Sequence, residues 1–355
     1  MSFFGRSLSE MLSPGLSGSV RRELLCACAR AHETLWAAAE MRLRKSAPAL
    51  AEKSGVSALT ARVFALSEKE RRKVFSDPSI VPWMRWARFH FSKKDEREFC
   101  SAARFLPKLP LPPEKNGINF DGADDPLLFR AARAVLPGQT AEKILKKPHR
   151  GAAKIFNAAM ERLRRIWPAQ HASASMFVRR VVFVSAGGFE GSIPALPGTV
   201  FLRSGRSWYE EKVASKDAAE KGFSALNELE FLLHESAHQA FIRFGRVFPL
   251  WKEDAGRGSL SPWSGRFRRD AAMAAGLQAY WITREGFRRA LARPERMDAR
   301  SGWQDAARKR IDALDSGFAR GLKGAEAAFE WTPHGRSYLE SVRERVDSVA
   351  SLRAS

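Results

Sequence analysis

Two histidines and a glutamate form the sequence pattern with the clearest chemistry. His234 and His238 are four residues apart, and Glu235 lies between them in Leu-Leu-His-Glu-Ser-Ala-His. On a helix, this spacing places both imidazoles on one face, about one turn apart. Both rings can then bind one metal ion, as in metalloenzymes with the His-Glu-x-x-His pattern. The pattern therefore predicts a metal site at His234 and His238.

The residues around this motif predict the helix that the spacing requires. Ser224 or Asn227 can cap its start, and Gly245 can end it. An apolar stripe recurs at helical spacing, in Leu229, Leu233, Ala237, Ala240, Phe241 and Phe244. Histidines beside such a stripe also occur as ordinary core residues, but packing does not require the glutamate between them. We therefore favour the metal site over two buried core histidines.

A catalytic metal needs a third protein ligand, and the motif alone does not supply it. The carboxylate candidates further along the chain are Glu253, Asp254, Asp270 and Glu285, and the turn residue His334 is a weaker one. With zinc, the glutamate of the motif would act as general base on the metal-bound water of a peptidase. Two histidines and one carboxylate with open positions suit Fe(II) and oxygen chemistry instead. Both interpretations stay open at this point.

Composition limits the class of protein. The chain has 355 residues, of which 45% are hydrophobic and 28% charged, as in ordinary globular proteins. No apolar run approaches the length of about 18–20 residues that crosses a bilayer, and the N-terminus lacks the pattern of a signal peptide. Cys26, Cys28 and Cys100 do not form a metal clip or an ordinary disulfide pattern. We expect a cytoplasmic protein without a membrane partner.

The net charge of +21 at pH 7 favours anionic partners. The basic residues are dispersed through the chain, as expected of a solvated arginine-rich surface. Trp83 and Trp86, interleaved with Arg85 and Arg88, match a base-stacking platform for nucleic acid. The same spacing fits a buried helix face, which we favour. Nucleic acid is therefore an open partner but not the favoured one.

Hydrophobic periodicity predicts a mostly α protein with a small β-sheet, an α+β architecture. Residues 1–170 read as a mainly helical N-terminal region, and residues 171–355 as a metal-binding catalytic domain. Short β-branched runs at 177–184 and 199–202 predict two strands ahead of the metal-binding helix. A further helix is expected from Asp270 to Leu291.

Several short motifs surround the His-Glu-x-x-His pattern in a defined order. They are Leu-Pro-Gly-Thr-Val-Phe-Leu at 196–202, Leu-Leu-His-Glu-x-x-His at 232–238, Pro-Leu at 249–250, Ser-Pro-Trp at 261–263, Arg268, Ala-Gly at 275–276 and Thr-Pro-x-Gly-Arg at 332–336. In this order and spacing, residues 175–345 resemble the bacterial HExxH-type peptide β-hydroxylases. Members of that family use Fe(II) and 2-oxoglutarate to modify ribosomally made peptides.

The resemblance implies a role for each matching side chain. His234 and His238 would hold Fe(II), and 2-oxoglutarate and O₂ would bind at its open positions. The guanidinium of Arg268 would bind a carboxylate of 2-oxoglutarate, because its planar fork matches a carboxylate bidentately. Glu235, which would be the base of a peptidase, would here orient or polarise the site.

The chain departs from the family pattern at one position. The family has a histidine where this sequence has Ala275. Asp270, at the start of the same helix, and Tyr280, one turn and a little further on, are the residues that would substitute for it. The resemblance therefore leaves the third ligand open.

These patterns lead us to expect an enzyme that hydroxylates the β-carbon of a side chain in a ribosomally synthesised precursor peptide. The implied cofactors are Fe(II) and 2-oxoglutarate, and the basic surface would suit an acidic leader segment on the peptide. A zinc-dependent metallopeptidase with Glu235 as general base is the first alternative. A non-catalytic peptide- or nucleic-acid-binding protein with a degenerate metal site is the second.

Overall fold

The computed structural model describes residues 18–76, 80, 84, 87, 96–97, 99–100, 118–121, 143–144, 152–185, 191–193, 196–203, 224–252, 258–265, 267–297, 302–328 and 330–354. These residues are mostly α-helical, with ten α-helices and a small β-sheet, which confirms the predicted fold class. None of the helices in this described part is both long enough and apolar enough to cross a membrane.

The described residues form two compact units. One, which we call the sheet unit, contains the described residues between 22 and 144 and between 178 and 203. The other, which we call the site unit, contains residues 18–21, 152–177 and the described residues between 224 and 354. The boundary that the sequence suggested, after residue 170, falls inside a helix of the site unit and stays a prediction.

The sheet unit combines four helices with the small sheet. Its elements in chain order are α1 (Gly18–Ser46, which starts in the site unit), α2 (Pro48–Ser54), α3 (Val56–Phe64), α4 (Glu68–Ser76), β1 (Asn119–Asp121), β2 (Arg180–Val184), β3 (Gly191–Ser192) and β4 (Thr199–Arg203). Helix α4 begins with a capping box, because Glu70 accepts a hydrogen bond from the backbone N–H of Ser67 at 3.1 Å.

The sheet has the strand order β1-β2-β4-β3. Strands β1, β2 and β4 are parallel, and β3 pairs antiparallel with β4. Every residue of β2 is buried, which explains its run of β-branched and aromatic residues from Val181 to Val184. The sequence suggested that this strand begins at Phe177. It begins at Arg180 instead, because Phe177 is the last residue of the preceding helix.

The site unit consists of six helices and a hairpin. Its elements in chain order are α5 (Ala152–Ile166), α6 (Pro168–Phe177), α7 (Ser224–Val247), β5 (Gly258–Leu260), β6 (Phe267–Arg269), α8 (Asp270–Leu291), a 3₁₀ turn (Pro294–Arg296), α9 (Trp303–Ala328) and α10 (Pro333–Ala354). The bounds of α8 agree with the prediction. Helix α7 continues two residues past Gly245, where the sequence had suggested its end, and the rings of Phe244 and Phe248 stack at 4.9 Å across that turn.

Helix α7, which carries the histidine motif, packs closely against α8. A Cβ atom at Gly286 of α8 would lie 2.3 Å from Cδ1 of Leu233, which immediately precedes His234. An added methyl group at this position would therefore displace the Leu233 side chain. The close packing brings the histidine-bearing part of α7 next to the aromatic residues of α8.

The segments before α10 and after α7 are joined by hydrogen bonds. The hydroxyl of Thr332 donates to the carbonyl of Pro249 at 2.6 Å, and its backbone N–H donates to the carbonyl of Leu250 at 3.1 Å. A Cβ atom at Gly335 would lie 1.9 Å from the Leu250 carbonyl oxygen, so glycine is required there. The Pro-Leu and Thr-Pro-x-Gly-Arg motifs are therefore packed and hydrogen-bonded against each other.

Candidate metal site

The imidazoles of His234 and His238 face each other across one turn of α7. Their Nε2 atoms are 3.0 Å apart, and their ring planes cross at 82° with centroids 4.5 Å apart. Two nitrogen ligands of one ion, each bonded at about 2.1 Å, can span this separation. In the absence of a metal, one Nε2 can donate a hydrogen bond to the other. The structure thus brings together the two residues that the sequence predicted as ligands.

The carboxylate of Glu235 lies close to the two imidazoles. One ligand atom from each of His234, Glu235 and His238 lies within 4.8 Å of the others. Both His234 and Glu235 are buried, with 8% and 6% of their surface exposed. Within the described part of the chain, this is the cluster of three histidine, cysteine or carboxylate groups that can hold a metal ion. The motif itself therefore contains a third possible donor, the carboxylate of Glu235.

The surroundings keep the His238 imidazole neutral at physiological pH. Burial, with the positive charge of Arg268 as the second cause, lowers the pKa of His238 from 6.5 to about 4. A neutral imidazole has a lone pair for a metal, whereas a protonated one does not. The site can therefore bind a cation at neutral pH without first losing a proton from this ring.

We expect metal-free protein to lose stability as the pH falls from 6.5 towards 4. The His238 imidazole has an ordinary pKa of 6.5 in the unfolded chain and a pKa of about 4 in the folded protein. Between these values the unfolded state binds the additional proton, so this group lowers the free energy of unfolding by at most about 1.4 kcal/mol per unit of falling pH. Chemical denaturation at several pH values measures the slope, which His238→Gln should reduce. An identical slope in this variant would contradict the assignment.

Tyr280 of α8 covers the ring of His234. Their centroids are 4.7 Å apart, and Tyr280 is buried. Burial raises the pKa of its phenol, which therefore stays protonated and can donate a hydrogen bond. Ala275, at the position where the family that the sequence resembles has a histidine, contributes no ligand atom. Of the two residues named as substitutes, Tyr280 is thus in contact with a predicted ligand.

Arg268 lies on β6, the returning strand of the hairpin in the site unit. It pairs in register with Ser259 of β5, and its side chain is exposed. Its charge acts on both His238 and Tyr280. Among the described residues, no carboxylate forms an ion pair with Arg268. Arg268 therefore adds a positive charge to the surroundings of the two predicted ligands.

The remaining candidates for the third ligand differ in position. Glu285 forms an ion pair with Arg289 one turn further along α8, at 2.8 Å, and is not part of the cluster. His334 is exposed and packs edge-on against Phe248. The whole of Glu253 and Asp254 and the side chain of Asp270 lie outside the described residues, as do Trp83 and Trp86 of the aromatic stretch.

A buried ion pair next to the site had not been foreseen from the sequence. Glu230 is 1% exposed and accepts two hydrogen bonds from Arg310 of α9, at 2.9 and 2.6 Å. Glu230 precedes His234 by four residues, so helical spacing could have placed it on the same face of α7. No comparable signal identifies Arg310, which is 76 residues from His234 along the chain.

No family model and no curated protein matches this sequence. The function of the chain must therefore be inferred from the donor atoms and charges of the site. The site offers two imidazoles, one carboxylate, a protonated phenol and the exposed side chain of an arginine.

Proposed function

We propose that this protein is an Fe(II)- and 2-oxoglutarate-dependent hydroxylase that acts on a side-chain β-carbon of a ribosomally synthesised peptide. The observation that carries the proposal is the position of Arg268 beside the cluster of His234, Glu235 and His238. A metal site alone would suit many reactions, but an arginine whose charge acts on His238 adds a group that binds carboxylates. The resemblance of residues 175–345 to the peptide β-hydroxylases supports the same activity.

The donor atoms fit iron. Two histidine nitrogens and one carboxylate oxygen are the ligand types of non-haem Fe(II) oxygenases, and they leave coordination positions open. In this chain His234 and His238 would hold the ion, and Glu235 is the carboxylate within reach. When bound, Fe(II) with 2-oxoglutarate and O₂ supplies the oxidation that replaces a C–H bond of the substrate by C–OH.

The residues around the donors bind and orient the other reactants. The Arg268 guanidinium would offer two parallel N–H groups to a carboxylate of 2-oxoglutarate. The rings of Tyr280 and Trp263 lie 4.5 Å apart on the α8 side of the site. The Tyr280 ring packs against that of His234, which is buried, and burial away from water strengthens electrostatic interactions inside the site.

The proposed substrate is a precursor peptide with an acidic leader segment. The net charge of +21 attracts acidic segments and accelerates their encounter with the protein. The proposed compartment is the cytoplasm, where reduced cysteines are the normal state. Cys26, Cys28 and Cys100 are all free thiols in the described residues.

The proposal is tested by turnover of the iron-loaded protein. Anaerobically loaded protein receives 2-oxoglutarate, O₂ and the peptides encoded beside its gene. We expect formation of succinate, together with a peptide product that has gained one oxygen atom by mass spectrometry. Iron-loaded protein that consumes no 2-oxoglutarate with any of these peptides would count against the hydroxylase. Protein without added metal is the matched control.

Substitution of Arg268 by alanine should weaken 2-oxoglutarate binding and leave metal binding intact. Loss of a charge-assisted bidentate contact corresponds to a rise in KM for 2-oxoglutarate of about 10- to 100-fold. The metal content should not change, because the guanidinium is not a ligand. Arg320→Ala, at an exposed position of α9, is the matched control. Equal values of KM in both variants would remove Arg268 from the 2-oxoglutarate site.

A zinc-dependent metallopeptidase is the second candidate. The observation in its favour is the buried Glu235 carboxylate close to the two imidazoles, which could act as general base on metal-bound water. The protonated phenol of Tyr280 could donate a hydrogen bond to the oxyanion of a peptide under attack. Metal analysis that shows zinc, with chelator-sensitive cleavage of a casein-type substrate that is lost in Glu235→Gln, would favour this function.

A further inference from the structure

Trp263, in the turn between β5 and β6, occupies a groove on α9 formed by two glycines. Its indole N–H donates to the carbonyl of Leu314 at 3.0 Å. A Cβ atom at Gly317 would lie 2.2 Å from the indole Nε1, and one at Gly321 would lie 2.4 Å from Cη2. The two glycines are one turn apart on the same face of the helix. A side chain at either position would therefore push the indole out of the groove.

The indole of Trp263 is also connected to His234 and His238 through a series of aromatic contacts. The Trp263 ring lies 4.5 Å from the Tyr280 ring, with 35° between their planes. The Tyr280 ring lies 4.7 Å from that of His234, which in turn lies 4.5 Å from that of His238. Close-packed rings transmit a displacement, because protein interiors leave little free volume. A shift of α9 would therefore be transmitted to the rings of His234 and His238.

The turn that carries Trp263 also connects β5 to β6, the strand of Arg268. The backbone N–H of Gly265 donates to the carbonyl of Ser261 at 2.8 Å, and that of Ser264 to the Ser261 hydroxyl at 3.3 Å. These bonds make the turn that carries Trp263 compact. The pairing of β5 with β6 then places Arg268 at a defined distance from the turn. Displacement of the indole would therefore shift both the Tyr280 ring that contacts His234 and the strand that carries Arg268.

We propose that Trp263, seated in the groove of Gly317 and Gly321, is a positioning residue that orients the His234 ring through Tyr280. It also holds the Arg268 strand beside the metal site, and this second role rests on the proposed function. The contact with His234 is made by the ring of Tyr280, so its hydroxyl is not needed for orientation.

The test uses Co(II) alone as the probe, because its visible absorption reports the coordination geometry. Full-length protein is titrated with Co(II) for the wild type and for Gly321→Ala, with circular dichroism recorded in parallel. We expect the variant to bind Co(II) about tenfold or more weakly and with a changed spectrum, since orienting groups around a ligand have effects of this size. Gly245→Ala, where an added Cβ meets nothing within 4 Å, should match the wild type.

A second pair of variants keeps the proposal testable if Gly321→Ala fails to fold. Tyr280→Phe retains the ring and should preserve Co(II) affinity and spectrum, whereas Tyr280→Leu should alter both. Identical spectra for wild type, Tyr280→Leu and a folded Gly321→Ala would overturn the positioning role while leaving the metal site in place. Absence of Co(II) binding by the wild type would instead refute the metal site and with it the proposed function.

Discussion

Replacement of either His234 or His238 by alanine is expected to abolish specific metal binding. Each imidazole is one of two nitrogen donors that lie 3.0 Å apart, and a single remaining donor cannot hold the ion in a defined geometry. Losses of 10- to 100-fold in affinity follow the removal of groups that only support ligands, so loss of a ligand should exceed about 100-fold. Titration with Fe(II) under anaerobic conditions, or with Co(II), measures the change.

The matched control for these variants is His334→Ala. His334 is an exposed histidine in the site unit that contacts Phe248 and is not part of the donor cluster. Its removal should leave the metal stoichiometry and affinity at wild-type values. The metal site would be refuted if His234→Ala and His334→Ala bound the ion equally well. Turnover should disappear together with metal binding, because every function proposed for this site needs the ion.

The second large effect concerns stability. Asp315 of α9 is expected to contribute strongly, because its carboxylate forms a buried ion pair with Arg284 of α8, and both side chains are only 5% exposed. A second hydrogen bond joins the pair at 3.2 Å. Asp315→Ala leaves the guanidinium buried without its counter-charge, which should cost about 3–5 kcal/mol in the free energy of unfolding. Urea denaturation followed by circular dichroism gives this value.

Two further variants separate this explanation from a general sensitivity of α9. Asp305→Ala removes a carboxylate of the same helix whose partner, Arg308, is exposed, so the loss should stay below about 1 kcal/mol. Simultaneous replacement of Arg284 by methionine and Asp315 by leucine removes both charges. This double variant should be more stable than Asp315→Ala, since no unpaired charge remains buried. Equal losses in all three variants would show that charge burial is not the cause.

The parts of the site that were predicted from the sequence are those that depend on local spacing. The four-residue interval between His234 and His238 is sufficient to place both rings on one face of any helix. The bounds of α8 follow from apolar periodicity for the same reason. The start of β2 was misplaced by three residues, because Phe177 and Val178, at and just after the end of α6, have the same residue types as the strand and only Arg179 and Arg180 separate them from its apolar part.

Other features of the site arise from contacts between residues far apart in the chain. Arg310 reaches Glu230 across 80 positions, and Trp263 reaches Leu314 across 51. Such pairs follow from how helices pack, which no short sequence window contains. The two glycines of α9 illustrate this, since a Gly-x-x-x-Gly interval shows that a helix can be approached closely but does not identify the group that approaches.

The sequence by itself determined that this chain is mostly helical and that two imidazoles project from one face of α7, because both properties depend on residues within a few turns of each other. Tertiary structure alone decided the surroundings of those imidazoles. It placed Tyr280 against His234, Trp263 in a groove of α9 and the charge of Arg268 next to His238. The physical reason is that the environment of a ligand depends on the packing of separate elements, whereas its direction from the helix depends only on backbone geometry.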